Sequence, residues 1–189
     1  MHLSVVRTIY RVLLLSGAAV LVWAGGSVVY ANIFQYFEAS RFDDRTISSA
    51  PSPQIREGDV IGKLEIPKAG VSVMVLEGVN EDALAIAAAH VSATPLPEAR
   101  GNFVIAAHRD TFFRKLREVR KGDLIRFSTI EETYWYSITT TEVVQPAETW
   151  VMQSHGYSEI TLITCFPFSY IGSAPQRFVV HARPVQKNS

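Results

Sequence analysis

A single cysteine, Cys165, stands in 189 residues. An intramolecular disulfide is therefore excluded, and with it the stapled scaffolds of small secreted domains. There is no C-x-x-C pair, so neither a zinc ribbon nor a thioredoxin-type redox motif can be built. An excess of charge is missing too, because 18 Lys and Arg balance 18 Asp and Glu. Nucleic acid is held through surplus cations, and without them no nucleic-acid partner is expected. No segment repeats at a fixed period and none is of low complexity. The acids near 77–82 and 131–132 read as solvated turns rather than a ligand cluster, so no metal and no cofactor are expected.

What the chain does have begins at its N-terminus. From Val12 to Phe34 it carries no charge. At about 1.5 Å per helical residue this run can cross a hydrocarbon core of about 30 Å. Arg7 and Arg11 precede it, and Trp23, Tyr30 and Tyr36 decorate it. A cleaved signal peptide is the rival, since Val29-Tyr30-Ala31 resembles a cleavage site. The run is longer than a signal core of about 7–15 residues, which favours an uncleaved anchor. Arg41 and Arg45 follow it, so local basic charge does not orient the span.

The expected organisation is a short tail and transmembrane anchor over 1–37, a polar linker over 38–58, and a folded domain over 59–189. Seven runs in that domain are rich in Val, Ile, Thr, Phe and Tyr: "DVIGKLEIP", "VSVMVLEG", "GNFVIAAH", "GDLIRFST", "ETYWYSITTTEVVQ", "EITLITC" and "QRFVVHARP". Gly, Pro, Asn or Asp punctuates most of them, as strands require. Two helical pieces are expected. "NEDALAIAAAH" opens on a capping Asn80 with acids in its first turn and runs to His90. "TFFRKLREV" places Phe112, Leu116 and Val119 on one helical face. Many strands with few helices predict an all-β barrel or sandwich.

Cys165 ends one strand and Arg177 begins the next. Taken singly, such a cysteine is most often a small buried hydrophobe, and such an arginine solvates an edge. A thiol becomes a nucleophile when a base or a positive field stabilises its thiolate. Of the five histidines, His108 has the same setting as Cys165, a buried strand handing over to a loop. Such a residue is held rigidly at its base and is free at its tip. His2 lies in the tail, His155 in a polar turn, and His181 within the last strand.

The wording around these residues resembles the sortase family. "TLITC" at 161–165 with a downstream Arg177 matches the cysteine block of that family. "GKLEIP" at 62–67 resembles its first strand, and "LAIAAAH" at 84–90 resembles its next block. His108-Arg109-Asp110 with Phe113, Leu116, Gly122 and Asp123 resembles its histidine block, and "IGSAPQRFVVHA" is similar to the class D branch. The resemblance implies an eight-stranded β-barrel with short helices behind an N-terminal transmembrane helix. It implies Cys165 as nucleophile, His108 as general acid and base, and Arg177 as oxyanion stabiliser. The implied activity is cysteine transpeptidation. An exported protein with a C-terminal LPxT-type signal would be cleaved through a thioester and passed to an amine, on a peptidoglycan precursor or a pilin lysine. The implied location is the outer side of the cytoplasmic membrane. Thr164, Trp150 and Val151 are expected at the substrate, with Met152 beside them; His90 is expected in a structural or substrate-loop role. Ala87, Ala89 and Ala107 depart from glycines common in the family, which questions the loop beside His108. The alternatives are an anchored cysteine peptidase or thioesterase, and a silent sortase-like binding module.

Overall fold

The computed structural model describes residues 2–45 and 55–185. A helix, α1 (His2–Arg45), is followed by eight strands: β1 (Val60–Ile66), β2 (Val71–Glu77), β3 (Ala88–His90), β4 (Asn102–Ala106), β5 (Leu124–Ser128), β6 (Thr133–Val144), β7 (Glu159–Phe166) and β8 (Gln176–Pro184). They close into a barrel in the order β1-β2-β3-β4-β7-β8-β6-β5. Neighbours pair antiparallel except β2 with β3 and β4 with β7, which run parallel. The eight-stranded barrel expected from the family resemblance is what the chain forms.

Alternation builds the interior. In β1, Leu64 and Ile66 are buried while Lys63 and Glu65 are not; in β5, Ile125 and Phe127 face inward between Leu124, Arg126 and Ser128. This is the period-two pattern of a strand with one wet face. Phe103 meets Phe127 edge to face, ring centroids 4.8 Å apart. Leu64, Ile105, Phe113, Leu116, Ile160 and Leu162 fill the space around them without exposure. Each such side chain stabilises the barrel by about 1.5–3 kcal/mol. Gly62 lets β1 lie close to β5, since a Cβ there would sit 2.5 Å from the Phe127 ring and 2.6 Å from the Ser128 carbonyl.

β4 is buried almost throughout, and β7 is buried from Glu159 to Leu162 and again at Thr164. Val144, Val151 and Val179 form a second apolar cluster, with Met152 and Ile163 against it. Val151 lies in the β6–β7 connection. Asn102 fixes that connection to the start of β4, its side-chain Nδ2 donating to the Val151 carbonyl at 3.0 Å.

Two helical expectations are corrected. The first helix, α2 (Glu81–Ile86), starts at Asn80, whose side chain accepts from the Ala83 amide as a cap should. It stops at Ile86 rather than His90, because 88–90 pair in parallel with 75–77 and become β3. Ladder pairing overrides the helix preference of an alanine run. The second piece is 3₁₀ over Arg114–Glu118, with Phe113, Leu116 and Val119 buried. Its spacing is three, not the three-to-four of an α-helix, and Phe112 is only partly buried.

α1 is long and apolar enough over Ile9–Ser40 to cross a membrane. It continues through Arg45, so its last turns occupy the first part of the segment read as a linker; residues 46–54 lie outside the described ones. Near its end the helix touches the barrel. Gln35 Oε1 accepts from the Met74 amide and Gln35 Nε2 donates to the Ile86 carbonyl, both at 2.7 Å. Phe34 packs on Leu76, Ala83, Ala87 and Ala89. One carboxamide thus joins β2 to the end of α2 where β3 has not yet begun.

Asp123, at the turn into β5, is 5% exposed. One oxygen accepts from Lys68 Nζ at 2.6 Å and the other from the Arg120 amide at 2.8 Å. The Lys68 hydrogen bond outweighs burial and holds the carboxyl below its ordinary 3.8. A depressed carboxylate stabilises the fold above its unfolded pKa, and that share is lost as pH falls through the lower folded value. Asp123→Asn is therefore expected to destabilise the chain at pH 7 by about 1 kcal/mol, Lys68 being largely in water. The gap to wild type should close as the pH is lowered below about 4. Melting of the full chain in detergent between pH 3 and 7 checks this.

Candidate active site

The site is assembled by ladder register. In the β7–β8 hairpin Cys165 stands directly opposite Arg177. In the parallel β4–β7 pair Ala106 stands opposite Ile163, and the Ala107 amide donates to the Ile163 carbonyl at 3.2 Å. His108 lies two residues past Ala106, beyond the end of β4, and Cys165 lies two residues past Ile163 on β7, so both lie toward the same end of this parallel pair. The histidine, thiol and guanidinium therefore leave three consecutive strands, β4, β7 and β8, at one end of the barrel.

Each of the three is held by backbone that is buried behind it. Thr164 is 2% exposed and its hydroxyl donates to the Ala107 carbonyl at 2.7 Å. That bond locks the residue before His108 to the residue before Cys165. Beyond His108 the chain turns back, with the His108 carbonyl accepting from the Phe113 amide at 3.0 Å and Phe113 sunk in the core. The His108 side is exposed, and its ring has no hydrogen-bond partner among the described residues. Cys165 and Arg177 are half-buried. Phe166, Phe168 and Phe178 pack against one another just beyond Cys165, with centroids 5.2 to 6.2 Å apart. Arg177 Nη1 donates to the carbonyls of Ala174 at 3.3 Å and Gln176 at 3.0 Å, so the guanidinium is curled against its own loop.

The expected substrate residues separate. Trp150 is 44% exposed, on the 3₁₀ turn Thr149–Met152 of the β6–β7 connection. Val151 is 3% exposed and belongs to the apolar cluster beneath that turn. Thr164 has its hydroxyl committed to Ala107, so it holds the site from behind. His90 is 2% exposed and both ring nitrogens are engaged, Nδ1 with Glu77 at 2.6 Å and Nε2 with Thr94 at 3.0 Å. The Thr94 hydroxyl donates to the Val91 carbonyl, so it can only accept from His90. That spends the His90 ring on joining β2, β3 and the loop after it.

The three alanines raise no strain. Ala87, Ala89 and Ala107 are buried at 0, 0 and 6% exposure. Ala87 is extended at φ −150°, and among the described residues no position with positive φ holds anything but glycine. The motive for reading the barrel as silent therefore falls away.

A closed barrel of mixed pairing, with a thiol and a guanidinium facing each other across one hairpin, defines the class. Residues 64–185 match the family model of the sortase domain, and the chain belongs to the sortase family, with a class D-like character. It is 35% identical over 129 residues to Sortase D of Bacillus subtilis strain 168, covering 68% of this chain and 65% of that one. It is 30% identical over 135 residues to Sortase A of Bacillus anthracis, covering 69% and 64%. The chain thus spans a little under two thirds of these curated relatives. Among solved structures it resembles a Clostridium perfringens Sortase D5 transpeptidase, with TM-score 0.70 and 27% identity over 78% of this chain and 95% of that one.

Proposed function

We propose that this protein is a membrane-anchored cysteine transpeptidase acting on exported proteins that carry an LPxT-type sorting signal. The observation that carries the reading is the register: Cys165 opposite Arg177, with His108 two residues past the end of the adjoining strand β4. Family membership supports it.

The chemistry follows from those groups. The Cys165 thiolate attacks the carbonyl carbon at the threonine of the signal, forming an S–C bond and a tetrahedral oxyanion. Arg177 stays charged at every relevant pH, and from its place opposite Cys165 a guanidinium nitrogen not spent on the loop would stabilise the oxyanion. The intermediate collapses, the C–N bond breaks, and His108 gives a proton to the leaving amine. A thioester remains. An incoming amine then forms a new C–N bond, His108 takes its proton, and the C–S bond breaks to return the thiolate. α1 supports a membrane anchor, and the sortase reading puts the barrel on the outer side of the cytoplasmic membrane, where exported proteins pass. Trp150 and the turn that carries it form one wall for the signal peptide. An anchored hydrolase uses the same three groups and differs only in what meets the thioester.

The test is a product analysis. The full chain in detergent is given a Leu-Pro-x-Thr-Ala peptide with and without an added amine, and products are read by mass spectrometry. Ligation to the amine is expected, with hydrolysis the minor route when the amine is present. Hydrolysis alone across a panel of amines would favour the peptidase.

A further inference from the structure

The connection from β7 to β8, residues 167–175, springs from Cys165 on one side and returns at Arg177 on the other. Its sequence, "PFSYIGSAP", is short of anchors. Ser169 and Ser173 are exposed, Gly172 has φ +95°, and Ile171 is 95% exposed. Such a segment loses much conformational freedom if it is to keep one shape. Its base is held by the three phenylalanine rings and by Arg177 itself. Its tip is held from the turn that follows β4, and among the described residues only Arg109 makes that reach. Arg109 Nη2 donates to the Tyr170 carbonyl at 2.7 Å and to the Gly172 carbonyl at 3.0 Å. The guanidinium carbon also lies 5.9 Å from the centroid of the Tyr170 ring. Two carbonyls on either side of Ile171 are thus gripped by one nitrogen, and Ile171 is left pointing into solvent.

Arg109 is the residue next to His108. A grip exerted by it ties the loop that ends in Arg177 to the turn that begins at His108. Its other terminal nitrogen, Nη1, is buried and has no hydrogen-bond partner among the described residues. A buried donor left unpaired is unfavourable for stability, so the contact is better explained by what it positions than by what it stabilises.

We propose that Arg109 is a positioning residue for the reaction: it clamps the tip of the β7–β8 loop against the His108 turn and so keeps the substrate-facing edge between Cys165 and Arg177 in one shape. Arg109 touches no reacting atom in this account. The proposal rests on the transpeptidase reading for its kinetic arm, and its structural arm is independent of that reading. The side chain must be a planar fork: lysine keeps the charge but has a single, shorter point of contact, and glutamine keeps a donor without the charge or the reach.

The experiment uses the full chain in detergent, with Arg109→Ala, Arg109→Lys and Arg109→Gln. Hydrogen–deuterium exchange of the 168–174 backbone is measured with no substrate present, and kcat and KM are measured with the Leu-Pro-x-Thr-Ala peptide and an amine. In Arg109→Ala, exchange of 168–174 is expected to speed at least tenfold while exchange in β4 and β7 stays within twofold. The kcat/KM ratio is expected to fall at least tenfold, with the larger share in KM, and neither Lys nor Gln should recover more than about a third of it. Exchange at 168–174 within twofold of wild type in all three variants would overturn the clamp. So would a tenfold faster exchange accompanied by an unchanged kcat/KM. If the wild type transfers no acyl group at all, the transpeptidase reading fails, and the exchange arm still decides whether Arg109 holds the loop.

Discussion

Replacing Cys165 with alanine is expected to lower acyl transfer by at least about a thousandfold while leaving the barrel intact. The two halves of that expectation come from different observations. The side chain lies at the end of β7 and is only half-buried, so its loss opens no cavity in the packed interior. Stability should therefore move by no more than about 0.5 kcal/mol, the range for substitutions away from the core. The chemistry has no substitute, because Cys165 is the only thiol in the chain. Serine at 165 would keep the shape and lose most of the nucleophilicity, since a hydroxyl does not ionise at neutral pH as a thiol does. Both variants are checked by ligation rate and by thermal melting on the same preparation. A large fall in melting temperature would show that Cys165 is packing rather than chemistry.

The second large effect is expected at Arg177. Arg177→Lys should lower kcat by about a hundredfold to a thousandfold, the loss seen when an oxyanion donor is removed. Arg177 sits opposite Cys165 in the ladder and directs donors to the Ala174 and Gln176 carbonyls. Its fork can therefore serve the loop with one nitrogen and the oxyanion with another. Lysine has one ammonium for both tasks and is a point charge without the planar spread. Because the stabilised charge exists only in the transition state, the loss should fall on kcat more than on KM. Steady-state kinetics with the sorting-signal peptide separates the two constants. An effect confined to KM would make Arg177 a binding residue instead.

Much of the barrel was legible because its signal is local. The alternation in "GKLEI" and "YWYSI" reports one wet face and one dry face, and the strands formed there. β3 was not legible. Its alanines prefer a helix, and only its parallel pairing with β2 makes it a strand, which is a fact about residues 75–77 and not about 88–90. His90, read as the end of a helix, ends β3 for the same reason. The length of the second helical piece was misread because Phe112 and Phe113 are adjacent. Either could start an apolar face, and the core took Phe113.

The three candidate residues were proposed through wording that resembles a family, together with the shared setting of a strand handing over to a loop. Nothing in the spacing of His108, Cys165 and Arg177 says that β4 and β7 are neighbours. That adjacency arises from a parallel crossover, with β5 and β6 intervening in the chain. Thr164 was placed at the substrate because it precedes Cys165. The pleat sends it to the other face, where it binds the Ala107 carbonyl. Arg109 stood in the motif beside His108, but its reach to the loop carried no signal, since its partners are backbone carbonyls and carbonyls have no sequence.

The central claim is that Cys165 carries the acyl group. The most direct measurement is the intact mass of the full chain after mixing with a Leu-Pro-x-Thr-Ala peptide without an amine and quenching in acid. One adduct is expected, with the mass of the peptide's N-terminal fragment through threonine. It should map to Cys165, disappear when an amine is added, and be absent from Cys165→Ala. Peptide cleavage without any adduct at Cys165, or an adduct that persists in Cys165→Ala, would contradict it.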